Sequence, residues 1–193
     1  MSLHINDPLE PERDKYQAMW SHDAYHKVSP GLEMVDAFMR VIQPTPGETL
    51  IDLGCGDGRA GLAFQTKGLR VTWLDFVEVL DEKVDRGRFL NCPIWDYRWT
   101  KLFRSNWDYC YCVDVMEHLP QEYTMLSIER IAQACRTAFI AIALLPDVNG
   151  QLIGQQLHLT VQPFAWWRDR IASICNLVDA RDLCGRGLYL VSK

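Results

Sequence analysis

Residues 49–61 read T-L-I-D-L-G-C-G-D-G-R-A-G, and this stretch decides the predicted fold. Its first five residues are mostly apolar, which is typical of a short buried strand, and glycines follow at Gly54, Gly56 and Gly58. Glycine reaches positive φ without strain and, because it has no Cβ, lets another molecule approach the backbone. The composition beyond Gly58 favours a helix, whose unpaired N–H groups would point at the same turn. The stretch therefore predicts a strand–turn–helix unit that binds a nucleotide-type ligand.

The spacing of the glycines and nearby carboxylates indicates which nucleotide. The dinucleotide fingerprint is G-x-G-x-x-G, whereas this turn has G-x-G-x-G, with Asp52 two residues before its first glycine. A carboxylate there suits a cationic amine better than a pyrophosphate. Asp75 lies 21 residues after Gly54, at the end of a second apolar run, where a carboxylate is placed to bind the hydroxyls of a ribose. Both features indicate a ribose-bearing ligand; for the turn alone, the alternative is a tight connection that binds nothing.

Length, composition and charge fit one soluble globular domain. The chain has 193 residues, of which 48% are hydrophobic and 23% charged. No apolar run approaches the ~20 residues of a membrane span, and the N-terminus lacks a signal-peptide pattern, so we expect a cytoplasmic protein without a membrane partner. The seven cysteines have no paired spacing and are expected to be reduced. A net charge of −5 without a Lys/Arg-rich block argues against a nucleic-acid partner.

Strand and helix patterns alternate along the chain. Residues 1–15 are predicted to be a loosely ordered lead-in, and a helix is predicted over residues 32–42, with Ser29 as its N-cap and Pro30 at its first position. Alternating strands and helices followed by a hairpin predict a doubly wound α/β sheet in one domain. Strands are predicted at 49–53, 69–74, 88–94, 107–113, 139–144, 177–183 and 188–192.

Two segments resemble a known superfamily. D-L-G-C-G-D-G at 52–58 resembles motif I of the class I S-adenosylmethionine-dependent methyltransferases, and V-D-V-M-E-H-L-P at 113–120 resembles the strand-four motif of small-molecule O-methyltransferases. The resemblance covers residues 30–193. It implies a Rossmann-like, doubly wound, seven-stranded sheet with an antiparallel C-terminal hairpin strand. It also implies an enzyme that takes a methyl group from S-adenosylmethionine, leaves S-adenosylhomocysteine, and passes the group to an O or N acceptor, expected to be a small molecule.

The resemblance also assigns a cofactor-binding set. It implies that the methionine end of the cofactor lies at the glycine turn, the ribose at Asp75, the adenine near Asp96 and Tyr97, and the sulfonium beside residues 114–116. For Asp96, the alternative is a solvated loop carboxylate. The implied set is Asp52, Gly54, Cys55, Gly56, Gly58, Asp75, Phe76, Asp96, Tyr97, Asp114, Val115 and Met116.

Aromatic side chains precede the first strand. Tyr16, Trp20 and Tyr25 lie in residues 1–28, which either cover a bound cofactor or pack against the helices. A second aromatic pair, Trp166 and Trp167, begins a helix after a long loop. Because adjacent helical positions lie ~100° apart, one of this pair is predicted to face an acceptor pocket and the other the core; alternatively, both pack between helix and sheet.

Two histidines and a glutamate are the catalytic candidates. An acceptor that is protonated at pH 7 needs a base, and an unperturbed histidine titrates near 6.5, which favours His118 and His158. Glu117 adjoins His118 and belongs to the same candidate set. The alternatives are a helix-start histidine that pairs with backbone and an ordinary loop histidine.

The same residues suggest a divalent metal. Asp114 and Glu117 are three apart and can face the same way, His118 is adjacent, and His158 comes from the loop after the fifth strand, which borders the same crevice. Mixed carboxylate and imidazole ligands suit manganese better than magnesium. The alternative is a metal-free site in which one histidine is the general base.

Two other function classes stay open. One is a non-catalytic module that binds S-adenosylmethionine and supports a partner, which the lack of an elaborated substrate domain permits. The other is a nicotinamide-dependent oxidoreductase on a related sheet, against which the glycine spacing and Asp52 argue.

Overall fold

The computed structural model describes residues 10–27, 29–102 and 106–193. Its strands are β1 (Thr49–Leu53), β2 (Arg70–Asp75), β3 (Phe89–Asn91), β4 (Trp107–Val113), β5 (Cys135–Ala143), β6 (Asn176–Asp182) and β7 (Arg186–Ser192). They form one sheet in the order β3-β2-β1-β4-β5-β7-β6. β1 to β5 are parallel, whereas β7 is antiparallel to both β5 and β6. The predicted doubly wound sheet with an antiparallel C-terminal hairpin is therefore confirmed.

Eight α-helices lie within the described ranges, together with three short 3₁₀ turns. The helices are α1 (Glu10–Trp20), α2 (Asp23–His26), α3 (Pro30–Glu33), α4 (Val35–Ile42), α5 (Arg59–Thr66), α6 (Arg98–Leu102), α7 (Gln121–Ala134) and α8 (Phe164–Ile174). The 3₁₀ turns are Arg86–Arg88, Met116–His118 and Asn149–Leu152. No helix among these is long and apolar enough to cross a membrane.

Both faces of the sheet are covered by helices. On one face, Phe38 of α4 and Phe64 of α5 meet edge to face, with ring centroids 4.9 Å apart, beside Phe139 of β5. On the other face, Trp167 of α8 packs in the same cluster as Ile140 of β5. A parallel strand buried on both faces reads as one apolar run, which is why β5 was predictable from the sequence.

The N-terminal segment differs from the prediction of a loose lead-in. Residues 10–20 form α1, and Met19 is fully buried. The Arg13 guanidinium donates a hydrogen bond of 2.9 Å to the Phe76 carbonyl oxygen. These long-range contacts stabilise a helix whose own sequence has little apolar periodicity. Residues 1–9 of the predicted lead-in lie outside the described residues.

The helix predicted over residues 32–42 is interrupted. α3 ends at Glu33, α4 begins at Val35, and Ser29 forms no side-chain cap. The Tyr111 hydroxyl donates a hydrogen bond of 2.5 Å to the Gly31 carbonyl, which a continuous helix would use for the Val35 N–H. A tertiary hydrogen bond therefore replaces one backbone hydrogen bond of the predicted helix.

The buried face of α7 is shifted relative to the prediction. The sequence placed Met125, Ile128, Ala132 and Cys135 on one face, but Cys135 begins β5, and the buried residues are Thr124, Ser127, Ile128, Ile131 and Ala134. Thr124 and Ser127 can face the core because their hydroxyls donate to carbonyls of the preceding turn.

The region after β2 also departs from the sequence reading. The predicted strand at 88–94 shortens to β3, since Pro93 has no N–H to continue the ladder. The short helix α6 that follows was not predicted, and the indole of Trp99, which it carries, is fully buried and donates to the Ile94 carbonyl oxygen at 2.8 Å.

Candidate functional site

The glycine turn lies between β1 and α5 at the carboxyl edge of the sheet. Gly54, Gly56 and Gly58 have φ values of 68°, 54° and 85°. A Cβ on Gly54 would lie 2.4 Å from a methyl of Val115, and a Cβ on Gly56 would lie 2.5 Å from the Trp20 ring. Any larger residue would therefore be strained in its backbone and would collide with a neighbour.

Two cavities of about 120 and 130 Å³ open above this turn. The first extends along β2 to Asp75 and Trp95, and the second extends towards Asp52 and His158. The residues that line both cavities are Trp20, Tyr25, Gly54, Gly56, Asp114 and His118. The cavities thus adjoin at the glycine turn, the end of β4 and the N-terminal helices.

Asp75 lies at the tip of β2 beside the turn, as its position after an apolar run predicted. Its Oδ2 accepts the Gly56 N–H at 2.8 Å, and its Oδ1 accepts the Val77 N–H at 3.0 Å. Burial raises the pKa of its carboxyl above the ordinary value. Asp75 and Phe76 both line the first cavity.

Asp52 and Cys55 lie in the second cavity. The Asp52 Oδ2 accepts the Gly61 N–H at 3.0 Å, which joins the strand to α5. Burial raises the pKa of the Asp52 carboxyl to about 7 and also raises that of the Cys55 thiol. Gly58 lies apart from both cavities, against Val84 and Trp73.

Asp96 and Tyr97, the residues implied to lie near adenine, are not brought to either cavity. Asp96 pairs with Arg98, and both predicted residues line a separate depression of the surface. Ile94 and Trp95, just before them, line the first cavity instead. Because β3 ends at Asn91, the chain turns away from the cavities before it reaches Asp96.

The segment after β4 divides its residues among three environments. Asp114 has a φ of 52°, its Oδ2 pairs with Arg186 at 2.8 Å, and its Oδ1 is buried without a partner among the described residues. Burial raises the pKa of the Asp114 carboxyl, and the Arg186 charge opposes this. Val115 lines the first cavity, whereas Met116 is fully buried in the core.

Glu117, His118 and His158 come together, as the sequence predicted for them. One carboxylate oxygen and one nitrogen from each imidazole lie within 4.8 Å of one another. The two rings meet edge to face, with centroids 4.7 Å apart. Asp114, the fourth predicted member, is not in this group; its Oδ2 pairs with Arg186 instead. We call Glu117, His118 and His158 the Glu–His–His cluster.

His118 lies at the boundary of the two cavities. Its Nδ1 is 2.8 Å from the Tyr16 hydroxyl and 3.2 Å from the Leu157 carbonyl oxygen. Burial, and after it the positive charge of His158, lowers the pKa of His118 to about 3, so this ring is neutral at physiological pH. A neutral imidazole offers a lone pair to a ligand but is a weak proton acceptor.

The N-terminal helices form one wall of both cavities. Tyr16 of α1 contacts His118 and lines the first cavity, and Trp20 and Tyr25 line both. The Arg59 guanidinium of α5 donates to the His26 carbonyl oxygen at 2.7 Å and fastens this wall to the Rossmann-like core.

Neither tryptophan of α8 reaches the cavities. Trp167 is fully buried in the core, and Trp166 lies under the Arg170 guanidinium, 4.9 Å from its ring centroid. The predicted contact of one of them with an acceptor pocket is not found in these cavities.

Arg186, which pairs with the cavity-lining Asp114, was not predicted from the sequence. The sequence places it between Gly185 and Gly187, which indicates a turn. Because β7 is antiparallel, it begins at the edge where the parallel strands end, and its first residue therefore reaches Asp114. The sequence feature that could have indicated this pairing is the single arginine just before the predicted antiparallel strand.

Comparison with known proteins shows a likeness of fold. No protein-family model and no curated protein matches the chain. The 1,6-didemethyltoxoflavin-N1-methyltransferase of Burkholderia thailandensis, crystallised with 1,6-didemethyltoxoflavin and S-adenosylhomocysteine, matches with a TM-score of 0.68 at 15% identity, over 94% of this chain and 87% of that chain.

Two further structures give the same result. Magnesium protoporphyrin IX methyltransferase of Synechocystis PCC 6803 with bound S-adenosylmethionine has a TM-score of 0.64 at 15% identity, over 95% of this chain and 92% of that chain. A chain from the complex between the Haloferax volcanii Trm112 methyltransferase activator and a methyltransferase has a TM-score of 0.70 at 16% identity. The match covers 93% of this chain and 96% of that chain. Identities this low show fold alone. The chain therefore has the Rossmann-like fold of the class I S-adenosylmethionine-dependent methyltransferases.

Proposed function

We propose that this chain binds S-adenosylmethionine and transfers its methyl group to an oxygen or nitrogen atom of a small-molecule acceptor. The observation that carries the proposal is the glycine turn with Asp75 beside Gly56, open to two adjoining cavities. The similar structures with bound S-adenosylmethionine or S-adenosylhomocysteine support it.

The residues present fit such a cofactor. The space at Gly54 and Gly56 would be lost with any Cβ. Each Asp75 oxygen accepts one backbone hydrogen bond and has a second lone pair for a ribose hydroxyl. Phe76 and Ile94 give the first cavity the apolar surface that suits a purine.

The second cavity suits the cationic end of the cofactor and the acceptor. Carboxylates at Asp52, Asp57, Asp114 and Asp147 line it. When bound, the cofactor would supply a methyl group already activated by a cationic sulfur. The chain then has to orient the acceptor in line with that group, and orientation alone can lower a barrier by several kcal/mol.

The meeting point of the two cavities is where the reaction would occur. His118 lines both cavities there, and His158 lies beside it on the second. We assign the Glu–His–His cluster to holding and activating the acceptor. Tyr16, Trp20 and Tyr25 are assigned to covering the bound cofactor.

Calorimetry with S-adenosylmethionine, S-adenosylhomocysteine and NADH tests the binding. Replacing Asp75 by alanine removes two charge-assisted hydrogen bonds, each worth about 1.5–3 kcal/mol, so affinity for S-adenosylhomocysteine should fall at least about tenfold. Asp36→Ala, at an exposed carboxylate on α4, is the matched control and should bind as the wild type does. Binding of NADH without binding of either adenosyl compound would refute the proposal.

A second measurement separates an enzyme from a binding module. The wild type is incubated with S-adenosylmethionine and a panel of hydroxyl and amine acceptors, and S-adenosylhomocysteine is measured by mass spectrometry. Formation that depends on acceptor supports methyl transfer. Tight cofactor binding without turnover on any acceptor would favour the non-catalytic module.

A further inference from the structure

The two histidines of the Glu–His–His cluster each have one ring nitrogen bonded to the backbone. His158 Nδ1 lies 2.7 Å from the Leu145 carbonyl oxygen, and His118 Nδ1 lies 3.2 Å from that of Leu157. A carbonyl oxygen only accepts, so His158 has a hydrogen on Nδ1, the atom that faces Leu145. His118 Nδ1 also lies 2.8 Å from the Tyr16 hydroxyl, so both of its neighbours hold this ring in place. Metal-ligating histidines are commonly oriented by such a bond from their other nitrogen.

The glutamate of the cluster has one oxygen without a partner. Glu117 is fully buried, and its Oε1 accepts the Ala143 N–H at 2.9 Å. Its Oε2 is buried and has no hydrogen-bond partner in the part of the chain that the structure describes. A buried carboxylate oxygen in this state is costly unless a cation or a proton satisfies it. The nearby Arg186 is already paired with Asp114.

Each of the three side chains therefore brings one possible ligand atom to a common point. The carboxylate oxygen and the two imidazole nitrogens lie within 4.8 Å of one another. One proton could join at most two of these atoms, whereas one cation can bind all three. His118 and His158 also line the second cavity, so part of the coordination sphere would stay open to a ligand.

We propose that Glu117, His118 and His158 form a three-ligand site for a divalent first-row transition-metal ion such as Mn²⁺, Fe²⁺, Co²⁺ or Zn²⁺. Two imidazoles with one carboxylate suit this group of ions better than Mg²⁺ or Ca²⁺, which prefer oxygen ligands. Ligand bonds of about 2.0–2.2 Å require the three atoms to draw together. His158 lies on the connection between β5 and α8, outside any helix, 3₁₀ turn or strand, and so it is the ligand with the greatest freedom to move inward.

The ligand set differs from the one that spacing alone predicts. Asp114 pairs with Arg186 on β7 and does not lie in the group, which has three possible ligands from the described residues and not four. The open positions face the second cavity, where an oxygen atom of an acceptor would bind. This last point rests on the proposed methyl transfer, but metal binding by the three side chains does not.

The test uses Mn²⁺ with the chelator-treated full chain. Electron paramagnetic resonance of free Mn²⁺ should show one saturable site in the wild type. His158→Ala and Glu117→Gln should each weaken Mn²⁺ binding at least about tenfold, by analogy with the 10- to 100-fold losses seen even for outer-shell changes. Glu117→Gln is nearly isosteric and retains an oxygen for the Ala143 N–H, so it should fold. His22→Ala, a histidine of the N-terminal segment outside both cavities, is the matched control.

The readout is independent of catalysis. Absence of saturable Mn²⁺ binding in the wild type, or equal binding by His158→Ala and the wild type, would overturn the metal site and leave a histidine as the candidate base. S-adenosylhomocysteine calorimetry on the same samples reports the proposed function separately. Loss of Mn²⁺ binding with intact S-adenosylhomocysteine binding in His158→Ala is the expected result.

Discussion

Two carboxylates, one on each side of the candidate site, differ in how their oxygens are satisfied. Asp75, beside the glycine turn, accepts backbone N–H bonds at both oxygens. Glu117, beyond the end of β4, accepts one backbone bond and has a second oxygen without a partner among the described residues. Both oxygens of the first carboxylate are held by backbone N–H groups, whereas one oxygen of the second needs a cation or a proton.

This difference separates two kinds of site. The glycine-turn side is built from one continuous strand–turn–helix unit and its neighbouring strand, and its geometry is set by backbone conformation. The Glu–His–His cluster is built from side chains that come from two distant segments and is set by packing. Changes on the first side should disturb backbone and cofactor together, while changes on the second should be confined to the ligand they bind.

The largest expected effect tests the backbone of the glycine turn. Gly54→Ala should destabilise the fold by about 2–5 kcal/mol, because it combines a left-handed backbone with a collision against Val115. It should also abolish binding of S-adenosylhomocysteine. Denaturant unfolding and calorimetry measure the two effects.

Gly154→Ala is the matched control for this change. Gly154 has a similar φ of 65°, but a Cβ there would meet nothing within 4 Å. It should show only the backbone cost, about 1–2 kcal/mol, and bind the cofactor normally. An equal loss of unfolding free energy in the two variants would mean that the collision with Val115 adds nothing to the effect of Gly54→Ala.

The next effect concerns Asp52 and pH. Burial raises the pKa of Asp52 to about 7 in the folded state, so the folded chain holds its proton more tightly than the unfolded chain does. Protonated Asp52 therefore contributes its whole share of the folding free energy below pH 4. This share is lost as the pH rises through 7. From pH 4 to pH 7.5, the free energy of unfolding of Asp52→Asn should increase by about 2–4 kcal/mol relative to that of the wild type.

Denaturant unfolding of both proteins at these two pH values measures this gain. Asp36→Asn, at an exposed site on α4, should show no comparable change. If the difference between Asp52→Asn and the wild type were the same at both pH values, the pKa of Asp52 would not be raised by burial.

The smallest effect tests the wall shared by both sides. Tyr16→Phe removes the hydroxyl that lies 2.8 Å from His118 Nδ1 and should destabilise the fold by about 0.5–1.5 kcal/mol. Tyr97→Phe, at a half-exposed ring outside both cavities, is the control and should be close to neutral. An unchanged midpoint of thermal unfolding in Tyr16→Phe would show that this hydrogen bond does not stabilise the packing of α1 against the cluster.

The region around the glycine turn was largely predictable from the sequence. Its glycines at positive φ, the position of Asp75 after an apolar strand and the burial of β5 all follow from local pattern. The buried face of α7 did not follow, because Thr124 and Ser127 bury hydroxyls that are satisfied by the helix's own backbone. Apolar periodicity cannot show that compensation.

The sequence by itself determined the doubly wound sheet and the strand–turn–helix unit, because both depend on residue periodicity and on the conformational freedom of glycine within a few neighbouring residues. Only the tertiary structure decided which carboxylate joins the two histidines. The antiparallel direction of β7 brings Arg186 to Asp114, whereas the packing of the chain brings Glu117 beside both histidines. Charge pairing between residues 72 positions apart depends on strand order and direction, and no local pattern contains that information.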